Sequence, residues 1–283
     1  MPRLSAIDRA TLAYLALAAA FTLLRGPRSL PAAALLPAAL VLAALVAGVL
    51  APRARSAGAA GRLLAEFYPL VLTVALYTHV GLVNLAGGVA HDARVQGWEQ
   101  ALFGCQLSAA WIRAFPSPAW SALMHASYLS YYAILAGSPL GLWLSGRRAA
   151  ARETLLAMMA AFYLCYTAFL LFPGAGPRYL FPAATNAATA VPVARLTHRL
   201  LEGGSAWGTA FPSSHVAVAL VAAGCAWRAW RPLGAVLLPL ALLLSLATVY
   251  GQLHYGVDAL AGAALAGAVL WWHGRRRRYD PRS

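Results

Sequence analysis

The sequence predicts an all-α fold, a polytopic membrane helical bundle of about eight transmembrane helices, since a span takes about 20 mostly apolar residues. Three observations carry this. Of 283 residues 61% are hydrophobic and only 11% charged, with a mean hydropathy of +0.66. Long Leu/Ala/Val runs recur along the chain, broken by Pro, Gly and Arg. The 22 basic residues, all arginine, face only 8 acidic ones and lie in the short joints between those runs. Such a composition excludes a large water-soluble domain and a disordered chain. An outer-membrane barrel is excluded too, because its strands would alternate apolar and polar residues.

In chain order the apolar spans are read at 10–24, 30–50, 67–88, 119–144, 153–172, 212–230, 232–250 and 256–273. The first has a signal-peptide flavour, with Arg3 and Arg9 before it and Ala18, Ala19 and Ala20 within it, but its apolar tail runs on to Leu24 and it is read as retained. Between the third and fourth spans, 97–115 carries Trp98, Leu102, Trp111 and Ile112 among charges, the pattern of an amphipathic helix lying on the outer interface. Three parts follow: amino-terminal transmembrane helices over 1–60, a main membrane domain over 61–273 and a basic cytoplasmic tail over 274–283.

Arginine placement sets the orientation. With eight spans and Arg275 to Arg278 on the cytoplasmic side, fifteen arginines are cytoplasmic and seven lie opposite, Arg25, Arg28, Arg94, Arg113, Arg178, Arg195 and Arg199. Both termini are then cytoplasmic, in a multi-pass protein of the plasma (inner) membrane. The net charge of +14 therefore reads as topology and anionic-lipid contact, with no nucleic acid as partner. Cys105, Cys165 and Cys225 form no spacing motif, so no disulfide or zinc site is expected. Gly262, Ala263, Ala266 and Gly267 permit close helix packing, expected within the chain. The oligomeric state is not written in these spans.

Ionisable groups at span ends are the informative residues, since each is costly in a bilayer. Three clusters stand out, Gly174 to Tyr179 after the fifth span, Phe211-Pro212-Ser213-Ser214-His215 opening the sixth, and His254-Tyr255-Gly256-Val257-Asp258 opening the eighth. By the topology above all three lie outside and can converge. His254 and Asp258, four apart, fall on one helix face, where the carboxylate accepts the Nδ1 proton and leaves Nε2 as base or nucleophile. Pro212 suits a first helical turn, where Ser213 and Ser214 present donors to a phosphate. Arg178, after two glycines and a proline, offers a planar fork to phosphate. His215 supplies a second proton-transfer group. His79, His91, His125, His198 and His273 are read as interfacial or hydrogen-bonded residues without a catalytic part.

These residues resemble the type 2 phosphatidic acid phosphatase superfamily, whose blocks read KxxxxxxRP, PSGH and SRxxxxxHxxxD. The second appears here as Pro212-Ser213-Ser214-His215, and the third keeps His254 and Asp258 at the family spacing. The resemblance implies a six-helix core preceded by amino-terminal helices, a phosphohistidine on His254, Asp258 orienting it and His215 protonating the leaving group. Arg178, Tyr179, Ser213 and Ser214 would hold the phosphate, with no metal or cofactor implied. The chain departs from the pattern at Leu171, where the family has Lys, and at Ala247-Thr248, where it has Ser-Arg. Losing two cations favours a phosphodiester over the more highly charged monoester. The forms GPRY, FPSSHVA and HYxxD look more like the inositol phosphorylceramide synthase and sphingomyelin synthase branch. The expected activity is transfer of a phospho-headgroup, inositol phosphate-like, to a lipid alcohol at the outer leaflet. Hydrolysis of phosphatidic acid, polyprenyl pyrophosphate or a related monoester is the alternative, and a transporter or flippase the second. Partners are a phospholipid or lipid phosphate substrate and the surrounding membrane lipids.

Overall fold

The computed structural model describes residues 4–27 and 32–279, with side chains for all of these except 32–35 and 277–279. Arg3, Arg28 and Arg282 of the topology pattern fall outside the described residues, as do the side chains of Arg277 and Arg278. Among the described residues there is no strand. The helices are α1 (Ala6–Arg25), α2 (Ala32–Leu45), which continues through a π turn into α3 (Ala51–Ala54), α4 (Gly58–Gly87), α5 (Asp92–Phe103), α6 (Leu107–Ala114) and α7 (Pro118–Leu144). They are followed by α8 (Arg148–Leu171), α9 (Pro177–Leu180), α10 (Pro192–Gly204), α11 (Ser214–Ala229), α12 (Arg231–Tyr250) and α13 (Gly256–Tyr279).

Local chemistry sets the helix ends. Ser5 begins α1 with a reciprocal capping box to Asp8, and Ser117 caps α7 through the Trp120 N–H. Gly88 and Gly104 end α4 and α5 in the left-handed region, at φ of 64° and 69°. The helix expected over 97–115 is in fact two, because Gly104 breaks it. Its first half is not a purely interfacial element, since Asp92, Val95 and Glu99 of α5 are buried against the protein.

Every apolar stretch read from the sequence carries a helix, but the helices differ in how well they suit a bilayer. Five are long and apolar enough to cross one, namely α1, Leu36–Ala54, α4, α8 and α12. Helix α11 is apolar but has only 16 residues. In α7 the polar residues Ser121, His125, Ser127, Tyr128, Tyr131 and Ser138 lower the hydropathy, and all six are buried inside the protein. The protein is thus a multi-pass helical membrane bundle.

Helix α8 forms the axis, with 72% of its most apolar window buried, and α1, α4, α7 and α11 pack around it. Helices α12 and α13 close the bundle against α11 and α7. Large apolar side chains left facing outward, among them Leu42, Val71, Val74, Leu242 and Trp271, form the surface that lipid would cover. The carboxyl ends of α1, α4, α8 and α12 meet the amino ends of α7, α11 and α13 at one end of the bundle, where α5, α6, α9 and α10 also gather. Arg25 there donates to the Leu170 carbonyl, and Asn84 to those of Phe169 and Gly208.

Candidate active site

The three polar clusters meet at this end, each held by identifiable contacts. After α8 the chain turns through Gly174-Ala175-Gly176 into the single turn α9. The Asp92 carboxylate, at the first turn of α5, accepts the Ala175 and Gly176 N–H groups at 2.7 and 2.8 Å. Gly176 has φ of +92°, and an added Cβ there would stand 3.0 Å from the Ala210 Cβ, so glycine suits the position twice over. The turn delivers Arg178 inward, and its Nη1 is buried with no protein partner among the described residues.

The second cluster is tied to the first, because the Ala210 N–H donates to the Gly174 carbonyl at 3.0 Å. Pro212 does not sit in the first helical turn as expected. Ser213 is the cap, its hydroxyl accepting the Val216 N–H, and α11 starts at Ser214. The capping hydroxyl competes better for that place than the proline one residue earlier. His215 then stands in the first turn, with Nε2 3.2 Å from the Tyr128 hydroxyl.

The third cluster docks on the second. The Ser213 N–H donates to the Asp258 carbonyl at 3.0 Å, and an added Cβ at Gly262 would lie 2.5 Å from the Ser213 carbonyl oxygen. Gly262 therefore serves packing within the chain. His254 lies in the turn before α13, not on the helix. Its Nδ1 is nonetheless 3.3 Å from Asp258 Oδ2, which also accepts the Tyr255 N–H at 2.9 Å. The Thr248 carbonyl accepts the His254 N–H at 3.0 Å, so a residue at a departure from the family pattern contributes through its backbone. Burial pushes the His254 imidazole below its ordinary value, opposed by the Ala210 carbonyl.

Sequence reading missed the part played by α5. Glu99, fully buried, accepts the Gly256 and Val257 N–H groups at 3.0 and 2.9 Å and so caps α13. Gln96 donates to the Tyr255 hydroxyl at 3.0 Å, and Asp92 lies 3.3 Å from that same hydroxyl. Asp92, Gln96 and Glu99 are spaced i, i+4 and i+7, one helical face, and in a chain with 8 acidic residues that spacing was the available signal.

Arg178, Tyr179, His215 and His254 line one small cavity of about 30 Å3, together with Tyr77, Tyr128, Thr209 and Leu253. The His215 and His254 ring centres are 5.9 Å apart. Asp258 touches the cavity through His254, while Ser213 and Ser214 are not among its lining residues. Leu171 is exposed at the end of α8 and lies outside this wall.

A helical membrane protein that gathers two histidines, a carboxylate and a half-buried arginine around one cavity holds the groups that acid–base and nucleophilic chemistry on an anionic group requires. A model of the PAP2 superfamily matches residues 94–272. The chain belongs to that superfamily, the type 2 phosphatidic acid phosphatases. Membership suggests phosphatase or phosphotransferase activity on lipid phosphates. No curated protein and no solved structure matches the chain.

Proposed function

We propose that the protein is a lipid phosphotransferase that passes a phospho-headgroup to a lipid alcohol through a phosphohistidine on His254. The observation that carries this is the pairing of His254 Nδ1 with Asp258 while the ring lines the cavity that holds Arg178 and His215. With Nδ1–H donated to the carboxylate, the lone pair belongs to Nε2. Nε2 attacks phosphorus, the bond from phosphorus to the lipid oxygen breaks, and His215 gives that oxygen its proton. In the second half the acceptor hydroxyl loses its proton to His215 and attacks the phosphohistidine, which frees His254. Arg178 neutralises the phosphoryl oxygens, with Tyr179 beside it.

A single arginine in the cavity suits a diester with one negative charge. Leu171 and Thr248, standing where the family has cations, keep that count low. Hydrolysis is the second reading, and one observation favours it. The cavity volume of about 30 Å3 is close to one water's share of the liquid.

The same reading takes α7, α11 and α13 as spans beside the five long apolar helices, eight in all, with both termini cytoplasmic. It places the site at the outer leaflet of the plasma membrane, within a catalytic domain over 61–273. Exposed apolar side chains on α7 and α13 support this, as do the apolar composition of the buried α11 and arginine–tryptophan pairs at the opposite end of the bundle. The test is mass spectrometry of lipids after incubating the purified protein with phosphatidylinositol plus ceramide or diacylglycerol, and separately with phosphatidic acid. A new phospho-headgroup lipid, absent with His254→Ala, is the expected result. Free phosphate from phosphatidic acid alone makes the enzyme a phosphatase, and full turnover by His254→Ala removes the mechanism.

A further inference from the structure

Two arginines at the active-site end, Arg195 and Arg199 of α10, have no use in the protein itself. Arg25 there donates to the Leu170 carbonyl, Arg113 donates to those of Ala109 and Pro182, and Arg178 lines the catalytic cavity. Arg195 and Arg199 are exposed and make no hydrogen bond or ion pair among the described residues. Cations left so on the side of a membrane protein that is poor in them call for an anionic partner.

The helix that carries them has three stripes, set by 3.6 residues per turn. Ala194 and Thr197 are buried against the protein, and Leu201, on the same face, lines the His254 cavity. Leu196 and Leu200, one turn apart, are 48% and 51% exposed. Arg195 and Arg199, also one turn apart, run beside the leucines on the outward half. Glu202 falls on the side away from the leucines and pairs with neither arginine among the described residues, lining instead the cavity beneath α10 with His198. An apolar stripe next to a basic one is what a helix lying in the plane of a bilayer surface needs, leucines toward the acyl chains and guanidinium groups toward the phosphates. The interfacial helix expected over 97–115 therefore has its match in α10.

The chain around α10 keeps it at that depth. The Tyr179 hydroxyl of α9 donates to the Ser205 carbonyl at 3.3 Å, and the Ala206 N–H donates to the Tyr77 hydroxyl of α4 at 3.3 Å. A second copy of the protein suits the face poorly. It would set one arginine pair against another, and two leucines fall far short of the about 800 Å2 per partner that a stable contact buries.

We propose that α10 is a docking surface for anionic phospholipid at the active-site end of the bundle, with Leu196 and Leu200 in the acyl boundary and Arg195 and Arg199 on the lipid phosphates. Its opposite face roofs the cavities, so the helix seats the site against the headgroup layer. The inference is independent of the chemistry assigned to His254.

The test uses the full-length protein with Cys105→Ser, which leaves only the buried Cys165 and Cys225, and a bimane fluorophore attached through Leu200→Cys. It is reconstituted in vesicles of equimolar phosphatidylcholine and phosphatidylglycerol, with brominated acyl chains carried by one lipid or by the other. Bromine quenches only at close range, so both depth and lipid identity are read at α10 itself. Both lipids should quench, and brominated phosphatidylglycerol should show a local enrichment of roughly fivefold for each arginine. Arg195→Gln with Arg199→Gln should make the two lipids equal while quenching persists. Leu196→Cys, on the same stripe, repeats the reading if labelling at Leu200 disturbs the fold. Absence of quenching by either lipid, equal quenching in the protein with both arginines, or an enrichment that survives their replacement overturns the proposal. Self-quenching that grows with protein density does so too, and makes the face a contact between copies.

Discussion

The two nitrogens of His254 have different neighbours, and that difference is what a substitution at Asp258 would erase. Asp258 Oδ2 takes both the His254 Nδ1 proton and the Tyr255 N–H. In Asp258→Asn the amide can turn an N–H toward Nδ1, which favours the wrong tautomer and leaves Nε2 protonated. Turnover should fall by about four orders of magnitude with the fold intact, the cost of that error in a known triad. A rate within a few-fold of wild type would make Asp258 a helix cap only. Arg178→Lys should lose at least about tenfold in kcat/KM, because a point charge cannot hold two phosphoryl oxygens as a planar fork does. Equal kcat/KM in the lysine variant would return Arg178 to a topology role. The His254–Asp258 relation was legible because its spacing is local.

At the scale of elements, α5 is the brace between the Arg178 turn and the His254 turn. Its carboxylates bond backbone N–H groups, and such contacts leave no side-chain motif in the partner segments to be read. That is why 97–115 looked like a surface helix, whereas the long apolar α8 was evident from its composition. The two ends of the brace make separable predictions. Asp92→Asn keeps one acceptor oxygen where two N–H groups and a tyrosine hydroxyl now converge, so it should loosen the Arg178 turn and raise KM. Glu99→Gln loosens the cap of α13 and with it the His254 turn, so it should lower kcat. Each effect is expected at about 10- to 100-fold, the kinetic equivalent of about 1–3 kcal/mol for an unsatisfied buried group. Steady-state kinetics beside thermal melting decide the matter. If kcat and KM move together in both variants, in step with loss of folded protein, α5 is a structural brace and positions nothing.

For the molecule as a whole, the two ends of the bundle differ in chemistry, and that difference predicts which side of the membrane holds the site. One end carries α5, α10 and the converging polar turns. At the other, arginines lie over tryptophan rings in the pairs Arg147 with Trp230, Arg148 with Trp143, Arg231 with Trp227, Arg275 with Trp271 and Arg276 with Trp272. Tryptophan prefers the interface and arginine the cytoplasmic side, so this end should face inward. The amino-terminal helices are fastened along the same axis. Tyr14 stacks on Tyr163 at 4.8 Å, and the buried Asp8 carboxylate pairs with Arg55 at 2.7 Å toward the end that carries the arginine–tryptophan pairs. The native cysteines test the orientation without any engineered reporter. Cys105 is half-buried in the turn between α5 and α6, on the active-site end, whereas Cys165 and Cys225 are buried within the bundle. A thiol reagent needs access, so Cys105 should be the residue that reacts. A membrane-impermeant maleimide applied to intact cells, with the outer barrier opened where there is one, should therefore label the protein, and Cys105→Ser should abolish the signal. Labelling of Cys105 that appears only after the bilayer itself is permeabilised would turn the molecule over and place His254 on the cytoplasmic side.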